Sequence, residues 1–147
     1  ARASLSSVEL LTMGRAVYKL KDLFYKYKPD HFFGHNCRDE LFRNWHCHFD
    51  NYGNYIPGYC SGLSLGNIND ATDLFGDLNL AQLPLIKALS TDIKILYEMA
   101  KNDFNYNEDP TGYISICHLC LDIRRTIIQK GHDFLELRPA VFYSSIE

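Results

Sequence analysis

A long amphipathic segment of the chain reads SICHLCLDIRRTIIQK and spans residues 115–130. Its apolar residues recur at intervals of three and four, which is the spacing of a single buried helix face. They are Ile116, Leu119, Ile123, Ile127 and Ile128. The pattern predicts a long helix that carries Asp122, Arg124 and Arg125 on its outer side. Gly131 follows this segment and is a typical C-terminal signal.

The same spacing predicts further helices upstream of this segment. They lie at residues 15–27, 83–89 and 93–104. Pro29 is expected to end the first of them, because the α-helical region is disfavoured for the residue before a proline. Thr91 or Asp92 is expected to cap the third, since a short side chain with an oxygen can accept hydrogen bonds from the first free N–H groups of a helix.

Between the first and second predicted helices lies the pattern of a β-hairpin. Apolar and polar residues alternate over residues 45–50, and residues 54–59 resume the extended pattern after a turn at Gly53. Glycine supplies the positive φ angle of such a turn without steric cost. Pro57 has no N–H group, so the second strand is short or lies at an edge. The chain is therefore predicted to be α+β and mostly helical, with one two-stranded hairpin packed with several helices around a four-cysteine metal or cluster site.

Length and composition exclude several classes of protein. The 147 residues are 46% hydrophobic, which is typical of a globular chain, and are expected to form a single domain over residues 1–147. No apolar run approaches the roughly 18–20 residues of a membrane span. The net charge of −3 and the scattered basic residues argue against a nucleic-acid partner. No secretory signal is visible, which favours a cytoplasmic location, and the start at Ala1 indicates a processed or shortened chain.

Four of the five cysteines form a pattern that is typical of metal ligands. Cys117 and Cys120 are separated by two residues at the start of the last predicted helix, where free N–H groups favour thiolate over thiol. Cys37 lies in a loop, and Cys60 ends the hairpin. Such a set of thiols can hold either structural Zn²⁺ or an iron–sulfur cluster. The alternatives are half-buried cysteines in a helical core and a redox-active dithiol.

The fifth cysteine, Cys47, is expected to be a core residue. It alternates with Trp45 and Phe49, which places it on the apolar face of the first strand. A free buried cysteine behaves as a small hydrophobic residue. Cys47 is the first alternative ligand if Cys37 lies far from the other three cysteines.

The histidines are better explained without a metal. His46 and His48 share a strand face with Asp50, and a solvent-exposed polar face accounts for this arrangement. His118 lies between the two cysteines of the helix start and is expected to point away from the metal. No catalytic residue is identified, because the sequence contains no Ser/His/Asp arrangement, no phosphate-binding glycine loop and no carboxylate pair suited to acid–base catalysis.

Three motifs resemble the C-terminal region of radical S-adenosylmethionine proteins. Residues 50–67, DNYGNYIPGYCSGLSLGN, are similar to a D-x-Y-G-N … C-x-G-[IL]-S-[IL]-G stretch in the auxiliary-cluster module of the SPASM or twitch kind. Residues 112–115, GYIS, and 117–124, CHLCLDIR, resemble the closing part of that module. Residues 13–16, MGRA, resemble the element that leads out of the catalytic barrel. The resemblance extends over residues 12–143.

The resemblance implies a cofactor and a partner. It implies a [4Fe–4S] cluster held by Cys37, Cys60, Cys117 and Cys120, and an upstream radical S-adenosylmethionine barrel of the same parent protein. The Cys-x₃-Cys-x₂-Cys motif of that barrel is absent from this sequence. The chain is therefore expected to be the tail of such an enzyme, without catalytic activity of its own and with S-adenosylmethionine bound only in the missing part.

The number of ligands limits the role of the cluster. The fullest modules of this family hold two clusters, whereas four candidate ligands allow only one. Four cysteine ligands leave no iron open to substrate, which implies electron transfer or structural support. The alternative function is a stand-alone interaction module stabilised by zinc and using the same four thiols.

Overall fold

The computed structural model describes residues 11–43, 48–70 and 78–146 of the chain. Within these ranges the fold is α+β and mostly helical, as predicted. The α-helices are α1 (Ala16–Leu20), α2 (Arg38–Leu41), α3 (Pro84–Thr91), α4 (Ile93–Phe104), α5 (Ile116–Gln129) and α6 (Val141–Ser144). Short 3₁₀ helices lie at Pro29–Phe32 and Ile68–Asp70. None of these helices is both long and apolar enough to cross a lipid bilayer.

The predicted two-stranded hairpin is present but short. β1 (His48–Phe49) and β2 (Tyr55–Ile56) pair in antiparallel register. The turn between them contains Gly53 with φ of 80°, and the carboxylate of Asp50 accepts hydrogen bonds from the backbone N–H groups of Tyr52 and Asn54 at 2.8 and 2.9 Å. A side chain that bonds its own turn in this way stabilises the turn locally.

The boundaries of the hairpin differ from the predicted strands at residues 45–50 and 54–59. β2 ends before Pro57, whose carbonyl accepts a hydrogen bond from the N–H of Cys60 at 3.0 Å, so the chain turns directly after the strand. The predicted positions of Trp45, His46 and Cys47 lie outside the described residues, and so does the expected place of Cys47 in the core.

Helices α3, α4 and α5 pack in chain order, α3 on α4 and α4 on α5. The predicted cap of α4 is confirmed, because the carboxylate of Asp92 accepts a hydrogen bond from the N–H of Lys94 at 2.8 Å. The side chains that fill this part of the core are aliphatic and fully buried. They are Leu85, Ile86, Leu89, Ile93, Leu96, Leu119, Ile123 and Ile127.

The predicted helix over residues 15–27 is wrong in its extent. Helix α1 covers only Ala16–Leu20, and Pro29 begins a 3₁₀ helix instead of ending an α-helix. The backbone of Tyr27 pairs with that of Tyr113, with N–H to carbonyl distances of 2.8 Å in both directions. This strand-like pairing requires an extended backbone, so a contact distant in sequence overrides the local helical spacing.

The prediction that Arg124 lies on the outer side of α5 is also wrong. Arg124 is 5% exposed, and Asp122 and Arg125 are half-buried. The Nη1 atom of Arg124 donates hydrogen bonds to the carbonyl of Ser61 and to the hydroxyl of Tyr143, at 3.1 and 2.9 Å. The loop after the hairpin and the C-terminal helix α6 therefore cover a side of α5 that the apolar spacing leaves polar.

Candidate metal centre

Cys117 and Cys120 lie in the first turns of α5. Ser115 caps this helix, because its hydroxyl accepts a hydrogen bond from the N–H of His118 at 3.1 Å. The Cys117 side chain is half-buried and the Cys120 side chain is buried. Residues separated in this way lie on one helix face, so the two thiols point to the same side of α5.

Cys37 directly precedes α2, and backbone hydrogen bonds attach its loop to the α3–α4 junction. The N–H of Cys37 donates to the carbonyl of Leu89 at 2.8 Å, and the N–H of Ile93 donates to the carbonyl of His35 at 2.9 Å. The carboxylate of Asp92 also accepts from the N–H of Gly34 at 3.1 Å. The position of this thiol is therefore set by the helical core rather than by its own short loop.

Cys60 lies in a tight turn that packs against α6. Its carbonyl accepts a hydrogen bond from the N–H of Leu63 at 3.0 Å, and Gly62 within the turn has φ of 78°. A Cβ atom at Gly62 would lie 2.4 Å from the ring of Phe142, so the turn and α6 approach too closely for any other residue. The hydroxyl of Tyr143 donates to the carbonyl of Gly62 from the same side.

All four predicted ligands, Cys37, Cys60, Cys117 and Cys120, line one cavity of about 50 Å³. Each of the four is a free thiol. Among the described residues, no group of three or more His, Cys, Asp and Glu side chains is arranged to hold a metal ion. The remaining residues that line the cavity are Met13, Gly14, Glu40, Tyr59, Ser61, Leu63, Leu89 and Arg124.

Arg124 is the residue of this site that sequence reasoning missed. It lines the same cavity as the thiols, and its Nε atom is buried without a hydrogen-bond partner. No ion pair joins it to a carboxylate in the part of the chain that the structure describes. The sequence contains a pattern that places Arg124 near the thiols. Intervals of three and four residues separate Cys117, Cys120 and Arg124, so all three share one helix face.

The thiols of Cys37, Cys60 and Cys117 favour the protonated form in this cavity. Burial, followed by the neighbouring thiols, raises the pKa of Cys37 above its ordinary value. Burial raises the pKa of Cys60 to about 12 although Arg124 acts in the opposite direction, and burial together with Cys120 raises the pKa of Cys117 to about 11. A bound metal requires thiolates, so metal binding at this site must release protons.

No histidine in the described part of the chain lines the cavity. His118 is 2% exposed, and its ring packs edge-on against those of Tyr18 and Tyr113 at centroid distances of 5.3 and 5.2 Å. Burial lowers the pKa of His118, which therefore favours the neutral ring. His48 is exposed on β1, while the position of His46 lies outside the described residues.

A second polar cluster on α5, the Asp122 cluster, consists of Asp122, Tyr18, Tyr106 and Tyr113. The Tyr106 and Tyr113 hydroxyls donate to the Asp122 carboxylate at 2.7 and 3.2 Å, and the Tyr18 hydroxyl donates to it at 3.3 Å. The Tyr106 and Tyr113 hydroxyls also contact each other at 2.5 Å. The carboxylate of this cluster therefore has a hydrogen-bond donor on each of its oxygens.

Comparison of the chain with models of protein families, with curated proteins and with solved structures gives no match.

Proposed function

We propose that this domain binds one [4Fe–4S] cluster through Cys37, Cys60, Cys117 and Cys120. The proposal follows the resemblance to the auxiliary-cluster module of radical S-adenosylmethionine enzymes. The observation that carries it is the convergence of these thiols, which come from three separate parts of the chain, on one cavity. Thiolates are the protein ligands that iron–sulfur clusters use.

The size of the cavity supports a cluster over a single ion. A buried water molecule needs a cavity of roughly 10–15 Å³, so a volume of about 50 Å³ leaves room for a group of several atoms. A tetrahedral zinc site with Zn–S distances of about 2.3 Å draws its sulfur atoms together around one atom. The cavity that the thiols line therefore has room for a group larger than a single zinc ion.

The charge of the donor set fits the same proposal. Metal–thiolate groups with four cysteines are anionic, and the buried Arg124 is a cation without a carboxylate partner among the described residues. A buried charge requires a partner of opposite sign. An anionic metal–thiolate group in this cavity would give Arg124 a partner of opposite charge.

The proposed role is electron transfer or structural support inside a larger enzyme. When bound, the cluster supplies one-electron chemistry, and four protein ligands leave no iron position for substrate. The residues of this chain hold the group and separate it from water. In this proposal the upstream radical S-adenosylmethionine barrel is the partner, the compartment is the cytoplasm, and S-adenosylmethionine binds outside this chain.

The second candidate is an interaction module stabilised by zinc. The Cys-x₂-Cys pair at the start of α5 with two distant cysteines is also the ligand pattern of structural zinc sites. Thiolates accept both zinc and iron, so zinc found after isolation in air does not identify the native metal.

Anaerobic isolation and reconstitution test the proposal. The chain is expected to be brown, with about four iron and four sulfide per chain. The matched variants are Cys120→Ser and Cys47→Ser, of which only the first is expected to lose iron. A colourless chain with one zinc under anaerobic conditions would establish the zinc module instead, and a chain without either metal would overturn both candidates.

A further inference from the structure

We infer that Arg124 provides the positive charge that compensates the anionic metal–thiolate group, and that this charge retains the group and raises its reduction potential. The inference rests on the proposed function and extends it to a residue outside the ligand set. It assigns to a buried arginine a role that differs from that of a structural hydrogen-bond donor.

The position of Arg124 gives the first argument. The side chain is 5% exposed, lines the cavity and lies on the helix face of Cys117 and Cys120. After burial itself, the ionisable groups that act most strongly on its guanidinium are those of Tyr143, Cys120 and Cys60, and each favours the charged arginine when it is deprotonated. Two of these three groups are candidate ligands.

Charge balance gives the second argument. Four thiolates carry four negative charges, and neither Zn²⁺ nor an oxidised [4Fe–4S]²⁺ core offsets more than two of them. An anionic group that is removed from water is costly unless a cation lies near it. The other charged side chain at the cavity is Glu40, which is itself anionic and forms an ion pair with Arg43. Arg124 is therefore the cation that this cavity offers among its lining residues.

The competing role of Arg124 is structural. Its Nη1 atom donates to the carbonyl of Ser61 and the hydroxyl of Tyr143, and these bonds hold the turn behind Cys60. A role of this kind requires a hydrogen-bond donor but no charge. Glutamine keeps a donor without a charge, whereas lysine keeps the charge, so the two substitutions separate the two roles.

The experiment compares Arg124→Gln, Arg124→Lys and the control Arg125→Gln in the loaded chain. Arg125 is the adjacent arginine of α5, lies over the ring of Tyr18 at 5.4 Å and does not line the cavity. Two quantities are measured without air: retention of metal against a chelator, and the reduction potential of the cluster in a dithionite titration, in which the cluster gains one electron and no bond changes.

Arg124→Gln is expected to weaken retention at least tenfold and to shift the one-electron equilibrium toward the oxidised state at least tenfold, a fall of about 59 mV. Arg124→Lys and Arg125→Gln are expected to stay close to the original chain in both quantities. If Arg124→Gln retains metal and potential, or if Arg124→Lys is the more damaging change, the charge role is wrong.

The original chain separates failure of this inference from failure of the proposed function. A brown original chain whose Arg124→Gln variant has an unchanged potential keeps the cluster and overturns the role of Arg124. If the original chain holds only zinc, the cluster proposal fails. A tenfold weaker retention of zinc by Arg124→Gln then supports the charge role of Arg124, and unchanged retention overturns it. A chain that binds neither metal overturns both.

A variant that fails to fold is also informative. Without metal, the positive charge has no anionic group to compensate, so Arg124→Gln is expected to melt at or above the temperature of the original metal-free chain. If the metal-free variant melts clearly lower or does not fold, the hydrogen bonds of Arg124 dominate and the inference is wrong.

Discussion

Helix α5 carries two partly buried polar clusters that differ in how completely their groups form hydrogen bonds. The Asp122 cluster contains one carboxylate, and its two oxygens accept hydrogen bonds from three tyrosine hydroxyls. The thiol cavity contains Arg124, whose Nε atom has no partner, and four thiols in a space of about 50 Å³. In the first cluster the carboxylate and the hydroxyls bond to one another, whereas the second contains a buried nitrogen atom that forms no hydrogen bond.

The difference separates a structural network from a candidate site. An unpaired buried polar group costs about 1–3 kcal/mol, so a fold retains one only where something offsets the cost. A satisfied network needs no ligand and contributes to stability and to a unique core packing. We therefore expect changes in the Asp122 cluster to affect folding alone, and changes in the cavity to affect folding through the metal.

The largest expected effect is the loss of a ligand. Cys120→Ser is expected to release the metal and to lower the free energy of unfolding by at least about 3 kcal/mol, because metal binding energy contributes directly to folding. For a domain of this size the melting temperature would fall by roughly 10 °C. Cys47→Ser is the control and is expected to keep the metal. Equal metal content and equal melts for both variants would contradict the assignment of Cys120.

Asp122→Ala tests whether the Asp122 cluster stabilises the fold independently of the metal. The substitution leaves the hydroxyls of Tyr18, Tyr106 and Tyr113 without their common acceptor, so the free energy of unfolding is expected to fall by about 3 kcal/mol. The metal content of the folded protein should stay the same. Denaturant unfolding and metal analysis measure the two quantities, and loss of metal from folded Asp122→Ala would show that the clusters are not independent.

Alkaline pH distinguishes the clusters by their titration. The ordinary thiol pKa is 9.0, and folding raises it to about 11 for Cys117 and about 12 for Cys60. Unfolded thiols lose their protons first, so the stability from these groups is present below pH 9 and is lost as pH rises toward 11 to 12. The slope reaches about 1.4 kcal/mol per pH unit for each thiol.

Ligated thiols hold no protons, so this loss of stability at alkaline pH should appear in the metal-free chain and be absent from the loaded one. The stability of the loaded chain should instead rise up to about pH 9, because its thiols take up protons when it unfolds. Burial also raises the pKa of Tyr106 and Tyr113, but these groups titrate equally in both forms and cancel in the difference. Unfolding midpoints at several pH values between about 8 and 10.5 measure this difference. If the unfolding midpoints of the metal-free and the loaded chain change with pH in the same way, the thiols are not the ligands.

The smallest expected effect comes from Asp92, which caps α4 and also bonds to the loop of Cys37. Asp92→Ala is expected to lower the free energy of unfolding by about 1 kcal/mol, the usual cost of losing an N-cap. Metal retention should weaken slightly, since Gly34 loses its acceptor. Thr91→Ala is the matched control, because its hydroxyl bonds only within α3. If both variants retain metal equally well, the cap does not position Cys37.

The local parts of the fold were predictable from the sequence because their causes are local. The spacing of apolar residues predicts α4 and α5, and Gly53 predicts the turn of the hairpin. The short oxygen-bearing side chains of Thr91 and Asp92 predict a cap, which Asp92 forms. Each of these features depends on residues within a few positions of one another. The same reasoning selected the four cysteines by residue type and spacing, although it did not decide between zinc and a cluster.

Tertiary structure alone decided the features that depend on distant residues. Pairing between Tyr27 and Tyr113 shortened the predicted first helix. Packing of the Cys60 turn and of α6 against α5 buried Arg124, because the residues that cover it lie 63 and 19 positions away in sequence. Helical periodicity reports which face of a helix is apolar, but whether a polar face meets solvent or another part of the chain depends on how the elements pack. For this chain, that packing produced the cavity at which the four thiols and the buried charge meet.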